Sequence, residues 1–333
     1  MKNFRARIVA VHRTLVHLHS ADAQLYIASI SEPHVSSERG TNCLLNRPTV
    51  GDWVIAETVD DDRCRIVSIE PRTTTIVRRS AGGNHAPQLL AANVDTAFIF
   101  SPLPEQPNVR RLARLVALAL SGNVIPVIVL SRADTVDDEA VNEALERVSA
   151  HMPEVSTVVA SSTRDGGLLQ TAPFIWPGAT VVLLGPSGAG KSTMLNAMAG
   201  NVVMQTGATR TDGAGRHTTT HRALFEIGDG VFVIDTPGLR AVGVWAAPDV
   251  SDQLFREIAE IGERCRFRDC THQREPGCAV REAIRDGVVA SGRWEQWEEL
   301  RRETAFLERS EEERRRRERQ GSLAMRRHLK DKR

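Results

Sequence analysis

The sequence predicts an α/β protein in three parts: a small N-terminal β-barrel, a doubly wound domain on a parallel sheet, and a charged helical segment carrying a metal-ligand cluster. Three observations predict it. Between residues 4 and 80 the apolar residues fall into five or so short runs at strand period, broken by turn residues. From Asn93 onward, apolar strands alternate with amphipathic helices, the pattern of parallel βαβ units. Three of the five cysteines, Cys265, Cys270 and Cys278, crowd with His272 into one short charged stretch. Such spacing reads better as a metal cluster than as a disulfide framework.

The 333 residues correspond to two to three domains at roughly 100–200 residues each. No apolar run approaches the ~20 residues needed to cross a bilayer. Residues 1–14 lack the continuous apolar core of a secretory signal, so a soluble protein of the cytoplasm, without membrane contact, is expected. In the first part, residues 1–80, the runs FRARIVAVH, TLVHLHS, AQLYIASI, WVIAETVD and CRIVSIEP give the strand count of an OB-fold, and a β-sandwich fits composition equally well. The SAGGNHAPQ stretch is a loop. The second part, residues 90–245, runs through VDTAFIF, VRRLARLVALAL, VIPVIVL, DDEAVNEALERVSAHM, VSTVVA, TVVLL, STMLNAMAG, RALFEIG and VFVIDTPG. The third, residues 246–333, is helical and ends in a tail from Arg309 that holds eleven Lys/Arg against five acids. That excess points to a polyanionic partner, although Arg314–Arg317 also suit a solvated helix face paired with Glu311–Glu313.

Gly185, Pro186, Ser187, Gly188, Ala189, Gly190, Lys191 and Ser192 match the full eight-position phosphate loop, between an apolar strand and a helix that continues with Thr193. The glycines let backbone N–H groups face a β-phosphate at a helix N-terminus; Lys191 supplies charge to the β and γ oxygens, and the Ser192 hydroxyl suits Mg²⁺. An ordinary glycine-rich turn would not need all eight positions. Downstream, Asp235-Thr-Pro-Gly238 ends a buried strand as the DxxG element of GTPases, with Asp235 for the Mg²⁺ shell and the Gly238 N–H for a γ-phosphate. Alone it would read equally as turn chemistry. Between them, GRHTTTHR lies in a stretch without apolar period, and Thr219 is the candidate to reach Mg²⁺ when a γ-phosphate is present; a Thr-rich edge strand is the alternative.

The base-recognition element is missing after Asp235 and stands instead before the phosphate loop, as Ser131-Arg132-Ala133-Asp134 after VIPVIVL, with Ser161-Ser162 after VSTVVA as the fifth element. The order is therefore permuted. Asp134 keeps the carboxylate that accepts from two guanine N–H groups at once, and Arg132 can lie over the purine face as a lysine stem would. Ser131 is shorter than the usual asparagine. A helix cap on Ser131 or Asp134 fits the same residues.

This order of elements, followed by a cysteine cluster, resembles the circularly permuted ribosome small-subunit-dependent GTPase A family over nearly the whole chain. The resemblance implies a circularly permuted P-loop GTPase domain with an N-terminal OB-fold and a C-terminal zinc-binding helical domain. It implies GTP hydrolysis to GDP stimulated by the small ribosomal subunit, late in that subunit's maturation, with contacts to 16S rRNA, and a monomer. It also implies that GRHTTT is switch I. The departure is Ser131-Arg132 in place of Asn-Lys.

Cys265, Cys270, His272 and Cys278 offer three thiolates and an imidazole, the complement of one closed, structural tetrahedral Zn²⁺ site. Cys43 and Cys64 read as small core residues. His12, His17 and His19 read as ordinary strand histidines, and Trp294 and Trp297 as residues packing the last helix on the domain beneath. For hydrolysis, the position after Gly238 is Leu239, which cannot orient water, so Lys191 and His217 are the candidate catalytic residues and intrinsic turnover should be slow. Two other readings share parts of the pattern. One is a nucleotide-gated RNA-binding adaptor without significant turnover; the other is a P-loop kinase or ATPase, against which Asp134 argues.

Overall fold

The computed structural model describes residues 3–12, 14–20, 24–29, 47–79, 87–163, 166–202, 223–236 and 249–306. The expectations for Cys43, for 215–222 with His217 and Thr219, for Gly238 and Leu239, and for the basic tail lie outside the described residues.

The first five strands are β1 (Asn3–Val11), β2 (Leu15–Ser20), β3 (Leu25–Ser29), β4 (Trp53–Thr58) and β5 (Arg63–Ile69). Antiparallel pairs join β1 to β2, β2 to β3 and β4 to β5; β3 runs parallel to β5, and β4 returns to β1 with Ala6 opposite Val54. The strand order therefore closes on itself, which decides for the OB-type barrel against the sandwich. Alternate residues point inward, so Ile8, Val16, Leu18, Val54 and Ala56 are fully buried with Cys64 in the barrel core.

An antiparallel pair, β6 (Thr75–Arg79) and β7 (Pro87–Ala92), leads to the second part. There β8 (Thr96–Pro102), α1 (Val109–Leu120), β9 (Ile125–Ser131), α2 (Asp138–His151), β10 (Ser156–Ala160), β11 (Thr180–Leu184), α3 (Lys191–Ala199), β12 (Ala223–Glu226) and β13 (Phe232–Asp235) follow in order. The strands β10-β9-β8-β11-β13 are parallel neighbours. Successive β8 residues serve opposite faces: Ala97 and Ile99 join one apolar layer with α1, while Phe98 and Phe100 join another with Met194 and Leu195 of α3. Burial on both faces explains the continuous apolar runs.

One strand departs from the parallel expectation. β12 is antiparallel to β13, because residues 227–231 are too few for the dozen-residue crossover that a parallel neighbour requires. β12 also pairs with β1 through Ala223 opposite Ala10, so barrel and domain share one continuous sheet. From the order of segments alone the barrel would join only through the chain before β8.

The last part comprises α4 (Asp249–Leu254), α5 (Arg256–Gly262), α6 (Ala279–Arg285) and α7 over 291–306. Phe255, Ile258, Val280, Trp297 and Leu300 belong to the same apolar core as α1. Arg114 pairs with Glu299 at 2.7 Å and with Glu303, and the buried Arg293 donates to Glu257 at 2.7 Å and to the Leu254 carbonyl at 3.0 Å. This part packs on the sheet layer and draws on its core.

Candidate nucleotide site and metal centre

Parallel strands bring their C-terminal ends to one edge, where ligands bind in open α/β sheets. Ser131 lies opposite Ala160, and Leu183 opposite Asp235, so residues far apart in sequence meet there. At that edge lies a cavity of about 420 Å³. One wall is Ser131, Arg132, Asp134 and Thr135 with Ser162 and Thr163; the other is Gly188, Gly190, Lys191, Ser192 and Thr193.

The phosphate-loop wall is set by backbone constraints. A Cβ on Gly185, at φ +149°, would stand 2.9 Å from Cβ of Phe100, so the loop can pass β8 only without a side chain. Gly190 caps α3 at φ +84° and offers no side-chain acceptor, leaving the first N–H groups of that helix for a ligand. Lys191 is buried, and its Nζ donates to the carbonyls of Pro186 at 2.7 Å and Gly185 at 3.2 Å. Burial pushes its amine below the usual lysine range, against the pull of Asp235. Burial likewise pushes the Asp235 carboxyl up to about 6, with Lys191 opposing. Among the described residues, buried Oδ1 of Asp235 has no hydrogen-bond partner. Ser192 lines the cavity beside Lys191.

On the other wall, buried Ser131 donates its hydroxyl to the Ala189 carbonyl at 2.8 Å, tying the base loop directly to the phosphate loop. Ala133 is anchored in the apolar core. Arg132 adopts the left-handed conformation at φ +61°, its Cγ 3.9 Å from where a Cβ on Gly190 would stand. The Ser161 hydroxyl donates to Oδ1 of Asp134 at 2.7 Å and fixes the carboxylate. Ser187 is exposed on the loop. Thr135 and Thr163 also line the cavity and were missed in the sequence; their only signal is a hydroxyl next to an element already singled out.

The second constellation lies between α5 and α6. The ligand atoms of Cys265, Cys270, His272 and Cys278 all lie within 4.8 Å of one another. Cys265 Sγ is 3.9 Å from Cys278 Sγ, and His272 Nδ1 is 3.5 Å and 3.4 Å from those two sulfurs. Tetrahedral Zn²⁺ with Zn–S of about 2.3 Å and Zn–N of about 2.0–2.1 Å sets edges of about 3.8 Å and 3.5 Å, so the donor set and spacing fit such an ion. Glu275 braces the turn by accepting from the Thr271 N–H at 2.9 Å and the Gln273 N–H at 2.9 Å. The Trp294 and Trp297 rings, 4.8 Å apart, stand 6.1 Å and 5.5 Å from the His272 ring. They pack α7, as the sequence suggests, and they pack it on the histidine of this Cys/His cluster.

Residues 69–245 match the family model described as RsgA GTPase. A protein of Opitutus terrae named small ribosomal subunit biogenesis GTPase RsgA is 39% identical over 316 residues, covering 91% of this chain and 84% of that protein. One of the same name from Xylella fastidiosa (strain M23) is 44% identical over 259 residues, 77% of this chain and 76% of its own. Two solved structures share the fold. YjeQ from Thermotoga maritima has a TM-score of 0.62 at 22% identity, over 91% of this chain and 99% of that one. YloQ, described as a circularly permuted GTPase, has a TM-score of 0.63 at 21% identity, over 91% and 96%. With a base loop, a phosphate loop and a strand-end aspartate meeting in permuted order, and with relatives matching most of its length, the chain belongs to the RsgA GTPase family, whose chemistry is the hydrolysis of GTP.

Proposed function

We propose that this chain hydrolyses GTP to GDP and phosphate in the cytoplasm, in late maturation of the small ribosomal subunit, and that the subunit stimulates the reaction. The supporting observation is the cavity in which braced Asp134 faces the phosphate loop. Asp134 accepts the two guanine N–H groups, with Arg132 along the purine face. The 185–193 backbone N–H groups hold the phosphates. Lys191 exchanges its two carbonyl partners for phosphate oxygens, a transfer that suits an amine already stripped of water. Ser192, Asp235 and Thr219 would hold Mg²⁺, which neutralises charge developing on the phosphate oxygens; the orphaned Oδ1 of Asp235 fits that role. Gly238 would meet the γ-phosphate and His217 would orient the attacking water. Cys265, Cys270, His272 and Cys278 would hold one structural Zn²⁺. Residues 1–80, 90–245 and 246–333 act as OB, GTPase and zinc domains of a monomer, with the barrel and the basic tail on 16S rRNA. Among the described residues no helix is long and apolar enough to cross a membrane.

Phosphate release from GTP and from ATP, with small subunits, large subunits or neither, tests the reading. Small subunits alone should raise the GTP rate at least ~10-fold, about 1.4 kcal/mol off the barrier. Flat rates would favour the adaptor reading, and an ATP preference would overturn guanine recognition.

A further inference from the structure

Arg7 lies on β1 among the barrel strands, yet its side chain does not enter the barrel core. It is 4% exposed. Its guanidinium reaches across the seam into the GTPase sheet, where Nη2 donates to Thr180 Oγ1 at 2.6 Å and to the Asn93 carbonyl at 3.3 Å. The guanidinium carbon stands 4.6 Å from the Phe232 ring centre and 5.1 Å from that of Trp53, so the head group lies between an aromatic of each part. Thr180 and Phe232 are opposite one another as the first residues of β11 and β13. At their far ends these two strands deliver Gly185 of the phosphate loop and Asp235.

The rest of the seam is narrow. β1 meets β12 through Ala10 and Ala223, and the 49–52 turn abuts the end of β7: the Ala92 N–H donates to the Val50 carbonyl at 3.0 Å, and Asn93 Nδ2 to the Gly51 carbonyl at 3.0 Å. Thr180 is held from its other side as well, its N–H donating to Asp95 Oδ2 at 2.7 Å. A buried cation is expensive unless its partners are fixed, and among the described residues Arg7 Nε has none. An apolar residue of similar length could fill the same space without that penalty. What it could not do is hold a hydroxyl on β11 and a ring on β13 at once.

We propose that Arg7 is a positioning residue that couples the barrel to the phosphate site: by fixing the starts of β11 and β13 from β1, it makes ligand order at Gly185 and Asp235 stabilise the barrel, and makes barrel engagement tighten the phosphate site. The proposal rests on the nucleotide reading of the cavity for its probe, GDP. Coupling of this kind is reciprocal, so it can be read from either end.

Hydrogen exchange on the full chain, free and with saturating Mg²⁺ and GDP, tests it. In the parent protein GDP should slow exchange at residues 185–193 and also, by roughly fivefold or more, at the barrel amides of β2 and β4. In Arg7→Met the slowing at 185–193 should persist while the slowing in β2 and β4 falls to less than twofold. A merely structural residue would change exchange in the free and bound states alike and leave their ratio intact. Thr180→Val, which removes only the acceptor hydroxyl, should reproduce the loss and guards against a misfolded Arg7 variant. No slowing in β2 and β4 of the parent, or full slowing in both variants, would overturn the coupling. No slowing at 185–193 would instead overturn the nucleotide site itself.

Discussion

Replacing Asp235 by asparagine should stabilise the ligand-free protein and abolish efficient hydrolysis. Its carboxyl is pushed from the ordinary 3.8 to about 6, chiefly by burial. At 1.36 kcal/mol per tenfold, keeping it ionised at neutral pH costs about 3 kcal/mol relative to a solvated aspartate. Asparagine keeps the shape and removes that charge. Part of the gain is lost because Lys191, itself buried, no longer has its opposing carboxylate. The balance is a ligand-free variant more stable by about 1–2 kcal/mol, measured by urea unfolding at neutral pH without nucleotide or Mg²⁺. Mg²⁺ should strengthen GDP binding to the parent and do little for the variant, whose GTP turnover should fall at least ~100-fold, the loss typical of one charge-stabilising contact. A ligand-free variant less stable than the parent by more than about 1 kcal/mol would refute the reasoning, since it would mean that the carboxylate is well satisfied where it stands.

Lys191→Ala should leave the unfolding free energy of the free protein, read from urea unfolding, within ~1 kcal/mol of the parent, because relief of an amine disfavoured by burial offsets the loss of its carbonyl bonds and of its charge beside Asp235, while phosphate release drops at least ~100-fold. Ser161→Ala removes the 2.7 Å bond that fixes Asp134; a lost hydrogen bond to a charged group should weaken GDP by roughly tenfold in calorimetry without changing the fold. Asp134→Asn should reverse the ranking of guanosine and xanthosine diphosphates in competition binding, because an amide donates where the carboxylate accepts. Cys270→Ser, or a strong chelator, should release metal at about one per chain and change the fluorescence of Trp294 and Trp297, whose rings pack by His272, while GDP binding persists.

How much the sequence disclosed depended on how local each feature is. The barrel strands were legible because period-2 runs between turn residues are local, and the phosphate loop because one short segment must contain both the tight backbone and the lysine. The antiparallel course of β12 was legible in principle from the short 227–231 connection, but not its pairing with β1, which rests on Ala10 meeting Ala223 from far along the chain. Ser131 looked like a shortened asparagine. The sequence could not reveal that its hydroxyl would find the Ala189 carbonyl, a contact made only once β9 and β11 lie in one sheet. Nothing in FRARIVAVH marks Arg7, rather than Arg5, as the arginine that turns toward Thr180.

The permuted order gives the two segments flanking the phosphate site different neighbours from those of a free-standing GTPase domain. Residues 203–222 run from α3 into β12, and β12 is the strand that pairs with the barrel. Residues 237–248 run from β13 into α4, and Val250 and Leu254 of α4 lie in the core shared with α1 and α7. One segment therefore joins the helix after the phosphate loop to the strand that pairs with the barrel, and the other joins the strand that ends at Asp235 to the helical part that carries the Cys/His cluster. In a domain whose DxxG strand led back into the sheet, order gained at a γ-phosphate would be spent within the domain. Here the connections predict that it reaches both the barrel and the helical part. A β12 shortened or broken by Leu224→Pro should silence the barrel side alone, because proline removes a ladder N–H from a four-residue strand while β13 and α4 keep their contacts. Hydrogen exchange that then loses GDP-dependent slowing in β2 but keeps it in α4 would separate the two routes; equal loss in both would mean that they are one.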